Sequence, residues 1–96
     1  MNANRKMILD LCKEVQTEKI KKVIAKHGSN IEGTYFISDL TSFKASEIKQ
    51  NVYKNTYMIL NIFVKQGYLN KFKNNGHVGY FLPDHEVKKI IENLDY

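Results

Sequence analysis

The chain has 96 residues, a length that allows one hydrophobic core and excludes two. It is 43% hydrophobic and 26% charged, with five Gly and one Pro, which fits an ordered globular domain. No run of about 18 apolar residues occurs, so a simple spanning helix is excluded, and the net charge of +5 favours polyanionic partners.

Residues 1–6 precede an amphipathic stretch that contains Asp10, not the apolar core of a secretory signal, so a cytoplasmic location without membrane association is expected. Met7, Ile8, Leu11, Cys12 and Val15 recur at helical spacing and predict a helix over about 3–15. Ile20, Val23, Ile24 and His27 continue the apolar pattern from Thr17 to a stop at Gly28. The two stripes fit one long helix with a phase shift, or two helices meeting near Gln16. Cys12, the single cysteine, excludes an internal disulfide and reads as a small buried hydrophobe, with a thiol near a dimer seam as the alternative.

Gly28–Gly33 reads as a loop, and Thr34–Ile37 as a short strand. Ser38-Asp39-Leu40 looks like the cap and first turn of a second helix, with Leu40, Phe43, Ile48 and Val52 as its core contributions. Ser42–Asn51 allows either a longer second helix or a break near Lys44-Ala45-Ser46 followed by a short extra helix. A strongly apolar helix is predicted over 53–66, ending at Gly67. Thr56, Leu60, Phe63 and Val64 form its inward face, with Ile59 beside them. Lys54, Asn55, Tyr57, Met58, Asn61 and Lys65 fall on the other side.

A hairpin follows. A two-residue type I′ turn at Asn75-Gly76 pairs Asn74 with His77 and Leu69 with Leu82. Leu69, Lys71 and Lys73 then share a face with Val78, Tyr80 and Leu82, while Phe72 lies across from Gly79, where a ring can cover the missing side chain. After Pro83, Asp84 can cap a last helix through Leu94, whose stripe is Val87, Ile90, Ile91 and Leu94.

A helix, a glycine stop, a strand, an Asn-Gly turn and a second strand, joined with no spare residues, resemble the recognition helix and wing of a winged helix-turn-helix domain. The resemblance covers about 34–82. It implies a mainly α fold with a small antiparallel β-hairpin: a winged helix-turn-helix with extra N- and C-terminal helices. The single domain 1–96 then divides into an N-terminal helical region (1–28), the helix-turn-helix plus wing (34–82) and a C-terminal helix (84–94). A small first strand, Thr34–Ile37, would pair with the wing. The 29 residues from Asp39 to Gly67 exceed what the minimal motif needs.

Charge is concentrated where that resemblance lies. Residues 1–43 carry seven basic and five acidic side chains, 44–77 carry six lysines against Glu47 alone, and 78–96 carry two lysines against four acids. Such a concentration suits a phosphate-facing surface; a solvated lysine-rich face is the plainer alternative. The candidate nucleic-acid-binding residues are Lys44, Lys49, Lys54, Asn55, Tyr57, Asn61, Lys65, Lys71, Lys73, Asn74, Asn75 and His77. Lysines suit phosphates and asparagines suit base edges.

The first reading is a sequence-specific regulator that places the 53–66 helix in the major groove of double-stranded DNA and the 69–82 wing on the backbone. A homodimer through the N- and/or C-terminal helices is expected with it. The second is a single-stranded DNA-binding replication accessory protein, in which Tyr57, Tyr68, Phe72, Tyr80 and Phe81 stack bases. A phage or mobile element is a source consistent with the A/T-rich codons of the abundant Lys, Asn, Ile, Tyr and Phe. The third is a protein-interaction winged helix using Met58 and Ile62. His27, His77 and His85 are too scattered for a zinc site. There is no phosphate-cradling glycine loop and no Cys/His pair with useful spacing, and Asp84-His85-Glu86 reads as capping and dipole compensation. No metal, cofactor or catalytic activity is expected.

Overall fold

A computed structural model describes residues 2–27, 40–50 and 55–94. Gly28–Gly33, the expected strand Thr34–Ile37, the cap at Ser38-Asp39, and Val52, Tyr53 and Lys54 lie outside the described residues. The architecture is mainly helical with one small antiparallel hairpin.

Helix α1 runs from Ala3 to His27 without a break, which decides between the two sequence alternatives in favour of one long helix. Asn2 starts it by accepting a bond from the Arg5 N–H at 2.8 Å. Ile8, Cys12, Gln16 and Ile20, each four residues apart, make its buried face with Leu9. Cys12 is fully enclosed, and burial pushes its thiol up to about 12, the state of an inert core residue. Met7, expected in the stripe, is exposed.

Gln16 is the polar residue that made the stripe look broken. Its side chain is completely buried, and both ends of its amide are used. Nε2 donates to Thr41 Oγ1 at 3.2 Å, and Oε1 accepts from the Leu82 N–H at 2.6 Å. One side chain thus joins the middle of α1 to two distant segments and satisfies the backbone donor just beyond the hairpin ladder.

The region after Thr41 differs from expectation. Phe43 is not on a helix: its N–H and C=O exchange 2.8 Å bonds with those of Tyr80 in an antiparallel bridge. Phe43 and Ile48 are core residues as expected, but they reach the core from separate pieces of chain, while Leu40 is 47% exposed. Helical structure ends at Thr41, Lys44 is extended, and a short 3-10 helix covers Ala45–Glu47. Glu47 holds this turn by accepting from the Lys44 N–H at 3.0 Å and from Lys19 of α1 at 2.8 Å. Partial burial works to raise its pKa. The bonds from Lys19 and the Lys44 backbone outweigh that and hold the carboxyl below its ordinary value.

Helix α2, Thr56–Gln66, buries Ile59, Leu60 and Phe63 and packs on the 3-10 turn. Gly67 ends it at φ 85°, and the Tyr68 N–H returns to the Phe63 carbonyl at 2.9 Å, the geometry of a Schellman stop. Strands β1 (Asn70–Asn74) and β2 (His77–Phe81) pair in the expected register, Asn74 with His77 and Phe72 with Gly79. Asn75 at φ 51° and Gly76 at φ 81° supply the left-handed pair that a type I′ turn requires.

Leu69, Tyr80 and Leu82 face the core, where Tyr80, Phe43, Phe63, Ile8 and Ile20 are the bulkiest enclosed side chains. Tyr68 meets Phe63 edge-on, whereas Phe72 and Phe81 contact each other on the opposite face of the ribbon. Because Phe43 bridges to β2, β1 is the outer strand among the described residues. Its lysines at 71 and 73 also discourage pairing with a foreign strand.

Helix α3, Asp84–Asn93, buries Val87, with Ile90, Ile91 and Leu94 packed against the core. Pro83, not Asp84, takes the cap position, and its carbonyl accepts from Glu86 and Val87. Asp84 and Glu86 lie in the first turn, where negative charge suits the helix dipole. No helix among the described residues is long and apolar enough to cross a membrane.

Candidate nucleic-acid interface

The outward face of α2 follows from its inward one. With Ile59, Leu60 and Phe63 fixed in the core, Tyr57, Asn61 and Lys65, each four residues apart, line the other side with Met58. Tyr57 is 44% exposed and Met58 52% exposed. Asn55 begins the helix, its side-chain oxygen accepting from the Met58 N–H at 3.1 Å. That bond gives Asn55 a capping role besides any contact with a ligand.

The hairpin meets this face through Lys71. Its ammonium donates to Asn61 Oδ1 at 3.0 Å and to the Tyr57 hydroxyl at 3.4 Å. Nζ lies 5.3 Å from the Tyr57 ring centroid, and its shorter distance to the hydroxyl places it at the oxygen end of the phenol, not above the ring face. Tyr80, across the ladder from Lys71, donates its hydroxyl to the same Asn61 oxygen at 3.2 Å and meets Tyr57 edge-on.

The electrostatics follow from these contacts. The Asn61 amide and the Lys71 ammonium bear on the Tyr57 phenol and hold its pKa below the ordinary value. Burial pushes the Tyr80 phenol up to about 12, so it remains a neutral donor. Tyr80 is fully enclosed and therefore is not a base-stacking residue, contrary to the single-strand expectation. Its role in the cluster is to hold Asn61 from beneath, an interaction between side chains 19 positions apart that no local pattern signals.

The other sequence candidates distribute around this seam. Lys65 continues the exposed α2 stripe, and Lys73 is exposed on β1 two residues beyond Lys71. Asn75 and His77 are exposed at the hairpin tip, and Asn74 closes the β1 ladder opposite His77. Lys44 and Lys49 are exposed on either side of the 3-10 turn that packs on α2. Lys54 lies outside the described residues. Lys71, Asn61 and Tyr57 thus meet directly, while Lys44 and Lys49 belong to the neighbouring edge.

Among the described residues, no group of three or more His, Cys, Asp or Glu side chains is placed to hold a metal ion. Comparison with family models, with curated proteins and with solved structures finds no match to this chain.

Proposed function

We propose that this chain is a nucleic-acid-binding domain of the winged helix-turn-helix type, acting on double-stranded DNA as a regulator of transcription. The observation that carries the reading is the Lys71 contact with Asn61 and Tyr57, which makes the outer face of α2 and the basic strand β1 one continuous surface. Element order supports it as well. Among the described residues, α1, the bridging residue Phe43, the 3-10 turn, α2 and the hairpin occur in the order that fold uses, with Phe43 pairing with the wing as expected of Thr34–Ile37.

In this reading α2 enters the major groove, and Lys71 and Lys73 approach the backbone beside it. A gel-shift panel with duplex and single-stranded probes of equal length, at two salt concentrations, tests it. Duplex binding that weakens steeply with salt is expected. Preference for the single strand would favour the stacking alternative, for which Tyr57 and Tyr68 are the most exposed of the expected rings and Phe72 and Phe81 are half-buried. Failure to bind either probe at low salt would remove both.

A homodimer through the terminal helices belongs to the same proposal. The open groove between α1 and α3, floored by Ile24, Ile90 and Leu94, leaves apolar surface on those helices. Sedimentation equilibrium tests it, and a monomer at all concentrations would oppose it.

A further inference from the structure

The hydrogen-bonding capacities at the helix–hairpin seam narrow what it can recognise. An ammonium only donates, so the Asn61 atom 3.0 Å from Lys71 is the amide oxygen, and the Tyr80 hydroxyl must donate to that same atom. Both lone pairs of the oxygen are then occupied by internal partners. The Tyr57 oxygen likewise accepts from Lys71, with the Asn61 amide also bearing on it. What remains for a ligand is a set of donors: the outer N–H of Asn61 and the third ammonium hydrogen of Lys71.

An unengaged asparagine pairs with adenine in both directions, accepting from N6 and donating to N7. Here that pairing would strip Lys71 and Tyr80 of the acceptor they share. We propose that the Asn61–Lys71–Tyr57 seam recognises an acceptor-only edge, either the N7/O6 edge of guanine or phosphate oxygens, and discriminates against two-way pairing with adenine. This rests on the nucleic-acid-binding reading above.

The test uses the whole chain and four duplexes of equal length. One contains guanine tracts and one the same tracts with 7-deazaguanine; one contains adenine tracts and one the same tracts with purine, which lacks the 6-amino donor. Asn61→Ala removes the side chain. Asn61→Asp preserves the fold by keeping the oxygen that Lys71 and Tyr80 use, while losing the outward N–H. If guanine is the ligand, 7-deazaguanine weakens wild-type binding about fivefold or more, and the sensitivity disappears in both variants. If phosphate is the ligand, no base change matters and both variants weaken all duplexes. A wild-type loss on replacing adenine by purine, absent in the variants, would overturn the inference and leave DNA binding intact. Asn61→Ala and Asn61→Asp both indistinguishable from wild type on every probe would also overturn it. No wild-type binding to any duplex would overturn the inference and the function reading together.

Discussion

Gln16 offers a direct way to weigh a single buried side chain. Gln16→Met keeps a side chain of similar length but removes both hydrogen bonds of the amide. The Leu82 N–H, enclosed beyond the end of the ladder, loses its acceptor, a cost of about 1–3 kcal/mol for a buried unsatisfied donor. Thr41 loses the donor from Gln16, at about 0.5–1.5 kcal/mol. An apolar side chain recovers part of this because it has no amide to desolvate. The net expectation is a loss of about 1–3 kcal/mol, equivalent to a fall in Tm of roughly 5–20 °C for a domain of this size. Urea and thermal melts measure it, and hydrogen exchange should show the Leu82 amide opening faster. A loss under about 0.5 kcal/mol, with Leu82 still protected, would refute the view that Gln16 joins α1 to the hairpin.

Other predictions follow from the same geometry. In Gly79→Ala the new Cβ would lie 2.6 Å from Phe72 Cε1, so overpacking should cost about 1–3 kcal/mol, with partial relief in the Phe72→Ala background. Spectrophotometric titration should show the Tyr57 phenol ionising below its ordinary value, and Lys71→Met should move it upward; an unmoved titration would contradict the seam. Glu47 has a depressed folded-state pKa, so its ion pair with Lys19 stabilises above the unfolded carboxyl pKa and is lost as pH falls through the folded one. Since both side chains are about a third exposed, the contribution should stay below about 1 kcal/mol. Glu47→Gln should flatten that part of the acid limb in pH-dependent melts.

Features set by short-range rules were the most legible in the sequence. Asn75-Gly76 sets the hairpin turn, its period-two alternation fixes which residues share a face, and Gly67 stops α2. The outward set Tyr57, Met58, Asn61 and Lys65 followed from helical period alone. Phe43 was misread because one bridging residue between a helical turn and a 3-10 helix leaves no alternating pattern, and its burial fits a helix equally well. Gln16 was hidden because a glutamine in an apolar stripe looks like a break, when its partners lie 25 and 66 positions away. For the same reason Asn61 was identified as a candidate contact, but not as an amide whose oxygen is already occupied.

Because Lys73 is exposed beside the seam without belonging to its bonded cluster, it isolates the phosphate-facing role most cleanly. The measurement is the dependence of duplex affinity on salt for wild type, Lys73→Ala and Lys89→Ala, the last altering a lysine on α3 next to Glu86. A slope reduced by about 0.9 in Lys73→Ala and unchanged in Lys89→Ala is the expected result. Equal slopes in all three proteins would contradict a landing surface built from α2 and the hairpin.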